Sequence, residues 1–229
     1  MTDTQKTILI TGASSGIGEA TARQCVDAGW QVALLARSED KIEKLAKELG
    51  ANAKSFACDV TKMDTLQAAV AATVNHFGGI DAVFANAGTG GKPGGFSEAP
   101  IESWQTIVNV NILGLAYTLQ ATLPAIKKSK GHVVITGSIA GRRSLAGSMY
   151  SASKHAANAI GYNLRGELEG TGCRVTVIEP GMVDTPFFDD EKPDALRPND
   201  VARSVLFALG QPRSVDLHEL VILPTPQEG

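Results

Sequence analysis

Thr7-Ile-Leu-Ile-Thr11-Gly12-Ala-Ser-Ser-Gly16-Ile-Gly18 sets the architecture of this chain. A short β-branched run passes directly into three glycines within seven residues, and the stretch from Glu19 to Ala28 then reads as a helix. Glycines let the backbone approach a diphosphate closely, and the N-terminus of the following helix aims free N–H groups and a positive dipole end at the anion. The turn is therefore a phosphate cradle, with Ser14, Ser15 and Ile17 between its glycines. Its spacing is G-x-x-x-G-x-G, which departs from the commoner G-x-G-x-x-G and uses the same physics.

Beyond the cradle, short apolar runs alternate with longer amphipathic stretches, the pattern of βαβ units around a parallel sheet. Seven strands are predicted: Thr7 to Thr11, Gln31 to Ala36, Ala53 to Cys58, Ile80 to Ala85, His132 to Gly137, Arg174 to Glu179 and Glu219 to Leu223. Helices fill most of the gaps, including Lys62 to Phe77 and a long stretch from Ile101 to Lys128. Right-handed crossovers put helices on both faces of such a sheet and the ligand at the carboxyl ends of its strands. The expected fold is a single-domain, doubly wound Rossmann fold spanning residues 1–229.

The segments after each strand carry the candidate chemistry. After the second strand, Arg37 and Ser38 stand where an NAD-preferring site needs a carboxylate, and a charge with a hydroxyl suits a 2′-phosphate. Ser38 also fits as the N-cap of the next helix, with Glu39 and Asp40 in its first turn. After the third, Asp59-Val60 either accepts from an adenine amino group or starts a helix. After the fourth, Asn86-Ala87-Gly88 offers small residues beside a strand end, followed by the glycine-rich rim Thr89 to Gly95. In the long helix, Asn111 must satisfy its amide among apolar neighbours, as a structural tie or as a water holder.

After the fifth strand, Ser138 precedes Tyr150-Ser-Ala-Ser-Lys154, which opens another helix. Tyr150 and Lys154 are four residues apart and share a helix face. A free phenol holds its proton too tightly for exchange at neutral pH, and a cation beside it lowers the pKa; a shift of ~3 units needs about 4 kcal/mol. Ser138 and Tyr150 can converge on one carbonyl oxygen. After the sixth strand, Pro180-Gly181-Met-Val183-Asp-Thr185 makes a sharp turn whose threonine either binds a carboxamide or caps the next segment, and a short acidic stretch at about 184–198 reads as a substrate lid.

The chain has 229 residues, 43% of them hydrophobic and 20% charged, with net charge −3, an ordinary balance that gives no electrostatic reason to expect nucleic acid or an anionic membrane as partner. No apolar run is read as a signal peptide or membrane span, so a cytoplasmic location is expected. Cys25, Cys58 and Cys173 form no C-x-x-C pair, and with His76, His132, His155 and His218 they make no zinc-ligand spacing, so neither disulfide nor metal is expected.

These motifs, in this order, make the chain similar to the short-chain dehydrogenase/reductase family, in its shorter-subunit branch, from Thr7 to about Pro224. The resemblance implies that Gly12, Gly16 and Gly18 form the cofactor loop, that Asp59 and Val60 flank the adenine, and that Pro180, Gly181, Val183 and Thr185 surround the nicotinamide. It places Asn111, Ser138, Tyr150 and Lys154 on the four catalytic positions, Asn111 rather than Asn109 because it precedes the x-x-Gly step ending at Gly114. The implied reaction is hydride transfer between a nicotinamide and a carbonyl or alcohol carbon. Tyr150 is then the general acid/base, Ser138 polarises the oxygen, Lys154 lowers the tyrosine pKa and holds the ribose, and Asn111 holds a water. Ser15 stands where many NADP-using relatives carry a basic residue, so preference for NADP(H) over NAD(H) rests on Arg37.

The expected substrate is a small or medium ketone, aldehyde or alcohol, walled by Leu145, Met182, Phe187 and Phe188. The alternative is a 3-hydroxy acid or semialdehyde, as in serine 3-dehydrogenase-like relatives, paired with Arg142 or Arg143 if either turns inward. Small residues on the last long helix, Ser151, Ala152, Ser153, Ala156, Ala157 and Ala159, suit a close helix neighbour, and relatives imply a homotetramer or dimer. A catalytically silent nucleotide sensor or scaffold is the reading from another class; it has no need of the intact tyrosine and lysine.

Overall fold

The first strand, β1 (Thr7–Thr11), is buried along its whole length, and its side chains alternate between two cores. Ile8 and Ile10 enter one core and Leu9 the other, the consequence of the two-residue strand period. Each such fully buried Leu or Ile stabilises the fold by about 1.5–3 kcal/mol. This computed structural model describes residues 5–225 apart from residue 189. The ends of the chain, read above for targeting signals, and one position of the expected lid lie outside the described residues.

The other strands are β2 (Gln31–Ala36), β3 (Ala53–Ala57), β4 (Ala82–Ala85), β5 (His132–Thr136), β6 (Arg174–Pro180) and β7 (Glu219–Ile222). All pair in parallel, in the order β3-β2-β1-β4-β5-β6-β7. Chain order reverses between β1 and β4, which puts a crevice beyond their carboxyl ends. Helices α1 (Gly16–Asp27), α2 (Glu39–Leu49) and, near the end of the chain, α8 (Pro198–Gly210) cover one face through Cys25, Ile42, Leu45, Val201 and Val205. Helices α3 (Met63–Phe77), α6 (Gly114–Ser129) and α7 (Met149–Glu167) cover the other through Leu66, Leu115, Leu119, Ile126 and Leu164. The short α4 (Gly95–Glu98) and α5 (Ile101–Ile107) lie between β4 and α6. The chain thus forms a single-domain Rossmann fold, a seven-stranded parallel sheet flanked by helices on both faces.

Three expectations need correction. First, α1 starts at Gly16 rather than Glu19, so the last glycines of the cradle form the first turn of the helix. Second, the stretch expected as one long helix is broken by a π-helical segment, Val108–Leu113, which carries Asn111. A wider turn of this kind re-aims side chains within an otherwise regular helix. Third, the helical run Ile101–Ser129 is long and apolar enough to cross a membrane by length and composition alone, although no run was expected to reach that length. Its apolar side packs on the sheet, where Leu115, Leu119 and Ile126 join the core.

Candidate active site

A cleft of about 430 Å³ lies at the carboxyl ends of the strands, along the β1/β4 crevice. One end is the glycine loop: Gly12, Ser14, Ser15, Gly16 and Ile17 line it, and Gly12 and Gly16 hold φ of +67° and +56°, where an L side chain is strained. Gly18 lies beneath the loop: a Cβ there would stand 2.2 Å from the Gly12 carbonyl oxygen. A Cβ on Gly16 would reach 3.1 Å from Thr185, so the loop and the Pro180–Thr185 turn close on one another without room for larger residues. With its free helix N-terminus, this loop fits a dinucleotide diphosphate.

The next wall comes from β2 and β3. Arg37 and Ser38 line the cleft, both exposed, and among the described residues Arg37 makes no ion pair. Ser38 precedes α2 yet its side chain makes no capping hydrogen bond, so the expected capping role is absent and the hydroxyl is left uncommitted on the cleft wall. Asp59 starts a turn, with Oδ1 accepting from the backbone N–H (3.0 Å) and hydroxyl (2.8 Å) of Thr61. Burial pushes its carboxyl up, and these two bonds with the nearby Arg37 charge outweigh that and hold it below the usual carboxylate range. Val60 packs beside it on the cleft wall.

At the floor, Asn86 ties three strands together. Its Nδ2 donates to the carbonyls of Thr11 (3.2 Å) and Gly12 (3.4 Å), and its Oδ1 accepts from the Thr136 hydroxyl at 3.0 Å. The Thr11 hydroxyl accepts from the N–H groups of Asn86 and Ala87. Gly88 lies where a Cβ would be 3.5 Å from Asn111 Oδ1 and 3.8 Å from Lys154 Nζ, so the Asn-Ala-Gly stretch gives these side chains room.

Ser138, Tyr150 and Lys154 meet at the other end of the cleft. The Ser148 hydroxyl caps α7 by accepting from the Ser151 N–H at 3.0 Å, which sets Tyr150 in the first turn. Lys154, 6% exposed, donates from Nζ to the Thr136 carbonyl at 2.8 Å and stands 5.8 Å from the centre of the Tyr150 ring. Ser138 Oγ accepts from the Ala140 N–H at 3.0 Å and faces the Pro180 carbonyl at 3.5 Å.

The electrostatics differ from the expected lysine-tuned phenolate. Burial raises the Tyr150 pKa, with the neighbouring Ser138 hydroxyl opposing, and burial lowers Lys154 to about 8. Desolvation is the leading cause at both groups, so each is pushed towards its neutral form.

Asn111, 3% exposed, proves to be a tie: Nδ2 donates to the Thr89 carbonyl and the Ser153 hydroxyl, both at 3.0 Å, and Oδ1 accepts from the Thr89 N–H at 2.8 Å. Both amide donors are thereby engaged, and a second lone pair on Oδ1 is left for a water to donate to. Ser153 continues the link by donating to the Tyr150 carbonyl at 2.7 Å. Thr11 and Thr136 were not singled out from the sequence, and Ser153 was read only as a small residue of the helix-pairing face. Thr11 and Thr136 each close a strand immediately before a glycine of a named motif, a position that marks them in retrospect.

The outer wall also departs from expectation. Phe187 and Phe188 line the cleft, and Phe187 packs on Tyr150 with ring centres 5.6 Å apart. Leu145 and Met182 are 47% and 51% exposed and take no part in the lining. Arg142 turns away and pairs with Glu179 and Glu219, and Arg143 is exposed and off the cleft wall. The 184–198 segment is stitched at its base by a parallel bridge between Val183 and Leu196 and by Arg197 on Asp184. On α7, Ser151, Ser153 and Ala157 are buried within the fold, which leaves Ala152 and Ala159 exposed. The buried serines bind nearby backbone carbonyls, so half of the expected helix-pairing face serves the site.

Comparison with known proteins agrees with this geometry. The family model described as short chain dehydrogenase matches residues 6–195. An uncharacterized oxidoreductase of Staphylococcus epidermidis is 37% identical over 227 residues, covering 96% of this chain and 97% of the relative. An alcohol dehydrogenase from the archaeon Thermococcus sibiricus, solved with 5-hydroxy-NADP, superposes with a TM-score of 0.92 at 33% identity, covering 98% of this chain and 99% of that one. A closed-form serine dehydrogenase solved with NADP+ gives a TM-score of 0.90 at 30% identity, covering 97% and 96%.

Proposed function

Because the chain belongs to the short-chain dehydrogenase family, we propose that it is an NADP(H)-dependent reductase of small or medium neutral ketones and aldehydes. The observation that carries this reading is the convergence of Ser138, Tyr150 and Lys154 at one end of a cleft whose other end is the glycine cradle. The cradle would hold the diphosphate, Arg37 and Ser38 a 2′-phosphate, Asp59 and Val60 the adenine, and Thr185 the carboxamide. When bound, the reduced nicotinamide supplies the hydride. Tyr150 gives its proton to the substrate oxygen, Ser138 orients that oxygen, and Lys154 stabilises the phenolate left behind. Burial raises the Tyr150 pKa, so the phenol rests with its proton and is set to donate it; carbonyl reduction is the direction that a reduced nicotinamide pool would drive.

Charge placement among the described residues supports the neutral substrate. Lys154 is engaged with Thr136, Arg142 is consumed by two glutamates, and Arg37 stands at the end of β2, roughly 14 Å from the β5 side of the cleft at about 4.8 Å per strand spacing. Beside Tyr150 stands the ring of Phe187, which packs in turn on Phe188. A second reading, oxidation of 3-hydroxy acids, draws support from the likeness to serine dehydrogenase. It requires a cation from the 184–198 segment, where Lys192 lies 5.7 Å over the Phe188 ring. Absorbance of the reduced nicotinamide, followed across neutral ketones, semialdehydes and 3-hydroxy acids, separates the two readings. In the same assay Tyr150→Phe should lower kcat about 10³-fold with cofactor affinity unchanged. Turnover within tenfold of wild type would refute the assignment of Tyr150.

A further inference from the structure

Behind the site lies a charged group that the proposed chemistry does not use. Glu179 is 0% exposed at the end of β6, immediately before Pro180, the residue whose carbonyl faces Ser138 Oγ. One carboxylate oxygen accepts from Asn158 Nδ2, one helical turn beyond Lys154 on α7. The other accepts from Arg142 Nε, at the end of the turn Ile139–Gly141 that follows Ser138. Asn158 Nδ2 also reaches the Gly141 carbonyl at 3.4 Å, and the outer nitrogen of Arg142 is held by Glu219 at the start of β7. A carboxylate only accepts, so Asn158 must present its nitrogen, and the amide orientation is determined.

No slack separates this network from the catalytic turn. A Cβ on Gly137 would stand 2.4 Å from Asn158 Oδ1 and 3.1 Å from Glu179 Cγ, and one on Gly141 would stand 2.6 Å from the Lys154 carbonyl and 2.7 Å from Asn158 Nδ2. The glycines on either side of Ser138 thus rest directly on the Glu179–Asn158 pair. Core stability alone does not require a carboxylate here, since apolar groups of similar volume commonly serve as well. Directional bonds to two elements do what an apolar contact cannot: they set the distance and angle between the Ser138 turn and the helix of Tyr150 and Lys154.

We propose that Glu179 is a positioning residue, clamping the Ser138 turn to the Tyr150 helix through Arg142 and Asn158. The kinetic consequence of the clamp rests on the reductase reading; its geometry does not. Glu179→Ala removes both links, whereas Glu179→Gln keeps an acceptor for Asn158 and loses the partner of Arg142 Nε. The test measures kcat, KM and cofactor Kd for wild type and both variants, well below their unfolding temperatures. A misplacement on the order of 1 Å costs about 100-fold, so Glu179→Ala should lose about 100-fold in kcat with KM and cofactor Kd within about threefold. Glu179→Gln should fall between it and wild type. Independently of turnover, amide exchange at Ala140, which donates to Ser138 Oγ, should quicken about tenfold in Glu179→Ala while the β1 amides keep their protection.

Unchanged kcat in both variants, or exchange that quickens uniformly through the molecule, would overturn the proposal and leave Glu179 a contributor to stability alone. Failure of the wild-type protein to reduce any carbonyl would sink the reductase reading instead, and the exchange at Ala140 would then decide the positioning role by itself.

Discussion

Replacing Gly18 by alanine introduces a Cβ 2.2 Å from the Gly12 carbonyl oxygen and 2.8 Å from Asn86 Nδ2. Neither neighbour can yield cheaply: the first is backbone of the cradle, and the second is the amide that ties β1, β4 and β5. To restore even a tight contact of 3.0 Å, the first turn of α1 must retreat from Gly12 by about 0.8 Å. That movement would withdraw the helix N–H groups from a bound diphosphate by about 1 Å, the scale of misplacement that costs about 100-fold in a catalytic geometry, or roughly 2.8 kcal/mol at 1.4 kcal/mol per tenfold. Overpacking costs a further ~1–3 kcal/mol of folding stability. Fluorescence titration with NADPH should therefore give a Kd raised by about 10- to 100-fold, while circular dichroism shows a folded protein with a lower urea midpoint. Gly79→Ala is the control, because a Cβ there meets nothing within 4 Å and its φ is not positive. A folded Gly18→Ala variant binding NADPH within twofold of wild type would refute the cradle geometry as the source of affinity.

Arg37→Ala should lower the preference for NADPH over NADH by about 10- to 100-fold, the value of a charge-assisted bond of ~1.5–3 kcal/mol, as read from kcat/KM with each cofactor; an unchanged ratio would show that Arg37 is only a solvated residue. Gly166→Ala, in the last turn of α7 with open space where the Cβ would go, should stabilise the protein by about 0.5–1 kcal/mol, seen as a rise of roughly 1–4 °C in Tm. Lys154 has a folded pKa of about 8 against an ordinary 10.5, so between those values the unfolded chain binds the extra proton and wild-type stability gains up to about 1.4 kcal/mol per pH unit, a gain absent in Lys154→Met. Urea unfolding of both proteins from pH 7 to 10.5, taken as a difference, cancels the opposite contribution of the buried thiols Cys25 and Cys58, and parallel curves would contradict the buried ammonium.

Elements with a strong period were legible to within one or two residues: all seven strands, and the helices that begin at Met63 and Met149. They are readable because burial on both faces leaves a parallel strand only β-branched and aliphatic choices. The π-helical segment at Asn111 left no trace in the hydrophobic pattern, since one widened turn shifts the register of apolar positions by less than the pattern tolerates. The glycine loop, Ser138, Tyr150 and Lys154 were readable because their chemistry restricts residue type. Arg142 illustrates the opposite case. Its charge suits a substrate carboxylate or a buried glutamate equally well, and only the placement of Glu179 behind the Ser138 turn separates the two. Ser38 is similar: both a cap and a phosphate ligand need a hydroxyl, and only the folded chain shows that its side chain does not make the cap bond.

The charge state of the site is where pattern and structure part most. A tyrosine four residues before a lysine reads as a phenolate stabilised by an ammonium, because adjacency on a helix face is visible in sequence and desolvation is not. In the folded chain Lys154 is spent on the Thr136 carbonyl and buried, and the Tyr150 pKa rises instead of falling. The helix of Tyr150 and Lys154 therefore presents a retained phenol proton to the cleft, with an ammonium that titrates within reach of neutral pH. A group in that state is a donor first. Added positive charge in the cleft would favour the phenolate and so the acceptor form, and in the reverse direction the oxidised nicotinamide ring would supply it. Reduction then proceeds from the resting state of the site, whereas oxidation of an alcohol must first draw the phenol proton away against the same burial. The asymmetry originates in packing: the elements that bring Ser138, Tyr150 and Lys154 together are also those that shut out water.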